Sequence, residues 1–94
     1  MSRIVVIGVH DLARCLGARQ QEVEIDCPIT VDALMQFLVD RHGDELKKKF
    51  ARREDSPWNV VVFVNGRNVF AGDGLQTLVH EHDEVLFMSP ISGG

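Results

Sequence analysis

The chain is poor in cysteine, has no apolar run long enough to cross a bilayer, and lacks an excess of positive charge. Each shortage removes a class of function. Cys15 and Cys27 are the two cysteines in 94 residues, and they supply neither the neighbouring thiols of a zinc knuckle nor a close redox pair. One falls in a connection and the other at the far end of a strand, a poor arrangement for a disulfide, so two reduced thiols are expected. A formal charge of -4 argues against non-specific nucleic-acid binding and against anionic lipid, so neither nucleic acid nor membrane is expected as a partner. The early apolar run Ile4 to Ile7 is too short for a signal-peptide core or a membrane span and precedes no small-residue cleavage pattern, which predicts a cytoplasmic protein. Catalytic sets are missing too. His10 and Asp11 have no nucleophile partner visible in the sequence, and no Ser/His/Asp or Cys/His constellation can be assembled. The chain is expected not to be an enzyme on its own.

What is present fits one domain over 1–94, with 45% hydrophobic and 26% charged residues, ordinary values for a globular protein. Arg3 to Val9 is β-branched and almost continuously apolar, as in a core strand covered on both faces. Leu12, Leu16 and Gly17 read as an irregular connection. Gln21 to Asp26 then alternates polar and apolar residues, with Val23 and Ile25 on the inner face, and Pro28 ends it. These two segments are expected to pair as an antiparallel hairpin.

Thr30 is placed to cap a helix, with Ile29 and Leu34 spaced as a hydrophobic staple. Val31, Leu34, Met35 and Leu38 form one stripe that Phe37 widens, and Gly43 is placed to end the helix as a left-handed cap. Asp44 to Arg53 is compatible with a short second helix that buries Leu46 and Phe50. Its basic run, Lys47, Lys48, Lys49, Arg52 and Arg53, reads as a solvated face. Trp58 to Val64 is a second continuous β-run. Asn65-Gly66 is the strongest short hairpin signal available and returns the chain as Arg67 to Phe70. Leu75 and Leu78 are expected to plug the core. His80-Glu81-His82-Asp83 reads as a polar turn and not as a metal site, because adjacent turn residues rarely supply three convergent ligands.

A helix between two hairpin-like units is buried most compactly across one face of a mixed sheet. The first and last segments should pair at its centre and the acidic second segment lie nearer an edge. The fold class predicted is α+β, a β-grasp or ubiquitin-like arrangement with one main helix across one face of a mixed sheet and a short second helix.

The end of the chain carries the sharpest signal. Glu84 to Met88 is a sticky strand. Pro90 lacks the N–H for further sheet pairing, and the sequence finishes Ile91-Ser92-Gly93-Gly94, so a flexible, narrow tail is expected over 89–94. Val64-Asn65-Gly66, then Asp83-Glu84-Val85, then Phe87-Met88-Ser89-Pro90-Ile91-Ser92-Gly93-Gly94 resembles the MoaD/ThiS family of ubiquitin-like sulfur carriers. Many members have two prolines where this chain has Ser89-Pro90, and alanine or threonine is frequent where Ser92 stands. The added length of Asp44 to Pro57 favours the branch resembling the small subunit of molybdopterin synthase.

That resemblance implies a function. Gly94 would be the adenylation and thiocarboxylate site, on a tail made of Pro90, Ile91, Ser92 and Gly93. The carrier would bind no cofactor, since ATP would be used by a partner, an adenylyltransferase of the ubiquitin-activating type. A sulfur donor and the large subunit of molybdopterin synthase, in a heterotetramer, would complete the partners, and a pterin precursor would receive the sulfur. Phe87, Met88, Pro90 and Ile91 are the candidates for the apolar docking surface at the tail's root; alternation puts Val85 and Phe87 on one face and Leu86 and Met88 on the other, so Phe87 can equally be read as core. Carriers for thiamine, cysteine or tRNA thiolation share such tails. A ubiquitin-like modifier conjugated through Gly94, or a plain binding module with an incidental glycine tail, are the readings from other classes.

Overall fold

The computed structural model describes residues 2–9, 11–50 and 60–88. Arg3–Gly8 forms β1, Gln20–Glu24 β2, Ile29–Thr30 β3, Val61–Val64 β4, Arg67–Asn68 β5, Leu78–Val79 β6 and Glu84–Met88 β7. The helices are α1 (Asp11–Leu16), α2 (Val31–His42) and α3 (Asp44–Phe50), with two 3-10 turns at Val69–Ala71 and Gly74–Gln76.

The main sheet has the order β2-β1-β7-β4-β5. The two most apolar segments lie next to each other at its centre, β1 and β7 running parallel with Val6 opposite Val85 and Gly8 opposite Phe87. The acidic strand β2 pairs antiparallel with β1 at the edge, Val23 opposite Ile4. Both placements follow from burial, since a strand flanked on each side can keep apolar residues and an edge strand needs charge. The mixed sheet and helix order give the expected α+β, β-grasp architecture.

Period-2 alternation sets the sheet's two faces. Ile4, Val6, Val23, Val62, Val64, Val85 and Phe87 point inward and share one core with Val31, Leu34, Met35 and Leu38 of α2 and Leu46 and Phe50 of α3. The start of α2 is capped as its sequence predicts, Thr30 Oγ1 accepting from Ala33 N at 3.1 Å. Its end differs in detail. Gly43 has φ 93° and ψ -162°, so the cap is not left-handed α; it is the mirror-extended region that only glycine enters freely. Gly43 N still donates to Val39 O at 2.8 Å.

Three further expectations are corrected. The connection after β1 is not irregular, because it holds α1, whose Leu12 and Leu16 are buried. Leu78 does not plug the core. It is 49% exposed, and its neighbour Val79 is the buried residue of β6, because the pairing of Val79 with Ile29 leaves Leu78 on the opposite side of a two-residue strand. Leu75 does pack against the core. The third correction concerns β1, whose outward residues Val5 and Ile7 are only half-buried. The second helix is described to Phe50, and the expectations for Arg52, Arg53 and Trp58 fall outside the described residues.

Gly8 explains how α1 fits. A Cβ there would stand 2.9 Å from Ala13 N, from Leu12 C and from Leu16 Cδ1, two of them backbone atoms that cannot swing away. Gly8→Ala is therefore expected to destabilise the protein by about 1–3 kcal/mol through overpacking, read as a lower urea midpoint at unchanged m-value.

Candidate functional site

The site is built on β7, the last described strand, whose Met88 directly precedes the tail. Alternation sends Val85 and Phe87 inward, both 0% exposed, and leaves Leu86 and Met88 half-buried on the outer face. The Phe87 ring packs on Phe50 with centroids 5.1 Å apart and a 35° tilt. This corrects the sequence expectation of partner docking by Phe87, since its side chain lies in the core and has no free surface. Met88 does lie on the outer face. Pro90, Ile91, Ser92, Gly93 and Gly94, with Ser89, fall outside the described residues.

Across the outer face, Leu86 stands between Ile7 of β1 and Phe63 of β4, and Met88 stands opposite Val61. All three helices bury their apolar residues on the other side. The result is an apolar surface spanning three central strands and reaching the root of the tail. A shallow recess of about 350 Å³ is set into it, lined by Ile7, Phe63, Gly66, Glu84, Leu86 and Met88. Alternation in the sequence already puts Leu86 on the Met88 face, but Ile7 and Phe63 carry no sign of their own in the sequence that they join it. The available signal was an imbalance, with two continuous apolar β-runs offering two apolar faces to one set of helices.

The start of β7 is locked. Asn65 Nδ2 donates to Asp83 Oδ1 at 3.0 Å and Glu84 N donates to Asn65 Oδ1 at 2.9 Å. Asn65 N donates to Glu84 O at 2.8 Å, and the second Asp83 oxygen accepts from His80 N at 2.8 Å. Asn65 can do this because it sits at φ 51°, followed by Gly66 at φ 82°, the pair of positive φ values of a type I′ hairpin loop. The Asn-Gly turn and the Asp-Glu-Val segment, separate in sequence, are thus one hydrogen-bonded unit. It pins β7 where its side chains divide between core and outer face, and a one-residue slip would reverse them.

Asp83 is consumed by this lock, so the His80 to Asp83 turn has a structural role. Among the described residues no group of three or more His, Cys, Asp or Glu side chains could hold a metal ion. Burial pushes the Cys27 thiol up from its ordinary value. Burial lowers the His42 imidazole, with Arg41 adding to the effect. Neither group belongs to β7 or to the recess. A second recess of about 430 Å³ lies beside Asn65 and Asp83, at the opposite end of β7 from the tail, roughly 17 Å away at 3.4 Å per residue. No helix among the described residues is long and apolar enough to cross a membrane.

Comparison with known proteins gives this arrangement a family context. The sequence model of the ThiS family matches residues 9–94. A protein of Archaeoglobus fulgidus named "Putative sulfur carrier protein" is 37% identical over 76 residues, which is 80% of this chain and 86% of that protein. The crystal structure of SAMP1 from Haloferax volcanii superposes with TM-score 0.72 at 25% identity, covering 98% of this chain and 99% of that one. A Pyrococcus furiosus structure named "Putative molybdopterin converting factor, subunit 1" superposes with TM-score 0.74 at 22% identity, covering 97% and 100%.

Proposed function

From the premise that the chain belongs to the ThiS family, a family of sulfur carriers and ubiquitin-like modifiers, we propose that it carries sulfur on Gly94 and delivers it to a pterin precursor. The observation that carries this reading is the geometry of β7, which presents Leu86 and Met88 on an apolar outer face and leads directly into the tail. The face binds, and the tail reacts.

A carboxylate at Gly94 is ionised at neutral pH and is a poor electrophile. An adenylyltransferase of the ubiquitin-activating type joins it to the AMP of ATP, releasing pyrophosphate. A persulfide sulfur then attacks the acyl carbon and AMP leaves. A thiol cleaves the resulting S–S bond, and the thiocarboxylate remains. Glycine at 93 and 94 leaves the acyl carbon without a neighbouring Cβ, so catalytic groups can approach it from either side. The carrier binds no cofactor in this account. It is a substrate for one partner and a donor to another, the large subunit of molybdopterin synthase, with which it assembles as a heterotetramer.

The sequence pattern and the length of the segment Asp44 to Pro57 support a pterin acceptor, and the fold shared with the Pyrococcus furiosus protein is consistent with it. The likeness to SAMP1, a name that stands for small archaeal modifier protein 1, favours a second reading, attachment of Gly94 to target lysines. One experiment separates them. The thiocarboxylated protein is mixed with the large subunit and pterin precursor, or with cell extract and ATP. Loss of sulfur from Gly94 together with a dithiolene-bearing pterin product is expected. Covalent adducts that survive reductant and require Gly94, without that product, would replace the sulfur-delivery reading with the modifier reading.

A further inference from the structure

The outer face of the sheet carries more charge than its apolar centre implies, and that charge is unevenly compensated. Glu22 and Glu24 of β2 and Glu84 of β7 all point to this side by alternation. Arg3 on β1 neutralises two of them, its guanidinium lying 3.5 Å from Glu22 Oε2 and 3.3 Å from Glu24 Oε1. No described residue gives Glu84 such a cation. Its backbone N–H is used by Asn65, but its carboxylate forms no hydrogen bond or ion pair with any described residue. That carboxylate is exposed and lines the recess formed with Ile7, Phe63, Leu86 and Met88.

We infer that Glu84 is a specificity contact for the activating partner, which sets a lysine or arginine against it while an apolar side chain enters the recess. This rests on the reading of the outer face as the docking surface. When a partner covers that face, the Glu84 carboxylate loses water, and burying an ionised carboxylate without a counter-charge is strongly unfavourable. A partner that fits the apolar recess must therefore bring a cation to Glu84 or be rejected. Arginine is favoured at such a contact because its planar fork grips a carboxylate with two hydrogen bonds and is less strongly hydrated than an ammonium. Apolar proteins without that cation are excluded by the same carboxylate, which is how one acidic residue beside a sticky patch gives selectivity.

The test is ATP–pyrophosphate exchange by the adenylyltransferase of the same organism, measured against carrier concentration at several ionic strengths. Glu84→Gln is expected to raise KM roughly fivefold to tenfold at low salt with kcat unchanged, and to flatten the salt dependence of kcat/KM. Glu84→Lys should raise KM further. Glu24→Gln, whose carboxylate is already paired, should behave as wild type. Leu86→Asp, which buries a charge at the apolar centre, is the control for the face itself. If Leu86→Asp raises KM while Glu84→Gln matches wild type, the Glu84 contact is wrong and the docking face stands. If neither changes KM, both are wrong.

Discussion

Phe87→Ala is expected to cost about 3–5 kcal/mol of folding free energy, the range for removing a fully buried aromatic ring. A domain of this size has about 5–14 kcal/mol in total at 0.05–0.15 kcal/mol per residue, so the variant should sit near the edge of stability. The cause is specific. The ring is 0% exposed and lies on Phe50, and the residue paired with Phe87 across the sheet is Gly8, which has no side chain to fill the space left behind. Urea denaturation should show a large drop in midpoint. Activation per folded molecule should survive at low temperature, because the Phe87 side chain supports β7 from inside the core. Leu86→Asp is expected to show the opposite balance, a smaller loss of stability than Phe87→Ala because Leu86 is only half-buried, with impaired activation. If Phe87→Ala folds normally and fails in activation, the division of β7 into a core face and a docking face is wrong.

Appending one alanine after Gly94 is the second large effect, and its origin is chemical. The proposed reaction needs a free carboxylate at Gly94, because adenylation joins that oxygen to phosphorus. An added residue turns it into an amide carbonyl, whose oxygen is a far weaker nucleophile, and moves the free carboxylate one residue onward beside a Cβ. Adenylate formation should fall below detection. The denaturation midpoint should not move, since the described core ends at β7.

Much of this architecture can be read from residue order because local and global signals agree. The β-branched runs of β1 and β4, the Thr30 cap with its apolar stripe, and Asn65-Gly66 each specify their own element. Elements that depend on a distant partner are harder to read. Helix α1 is six residues long, too short to hold itself together in water, and it forms because Gly8 lets it approach β1 and because Gln21 Nε2 donates to Leu16 O at 2.9 Å. Leu78 was misread for a similar reason, as a two-residue strand has no periodicity and only its pairing with Ile29 and Thr30 decides which side faces in. The apolar outer face is half legible. Met88 follows from alternation, but Ile7 and Phe63 join it only through the strand order. Phe87 and Met88, adjacent and equally apolar, have different jobs because they lie on opposite sides of one strand.

Sulfur transfer to Gly94 can be read from the intact mass of the protein. The wild-type protein is incubated with ATP, the adenylyltransferase of the same organism, a persulfide donor and a reducing thiol, beside the variant carrying an extra alanine. Wild-type protein should gain the mass difference between one sulfur and one oxygen, localised by fragmentation to Gly94, while the extended variant stays unchanged. An unchanged wild-type mass with partners shown to be active, or the same gain in the extended variant, would rule out Gly94 as the sulfur acceptor.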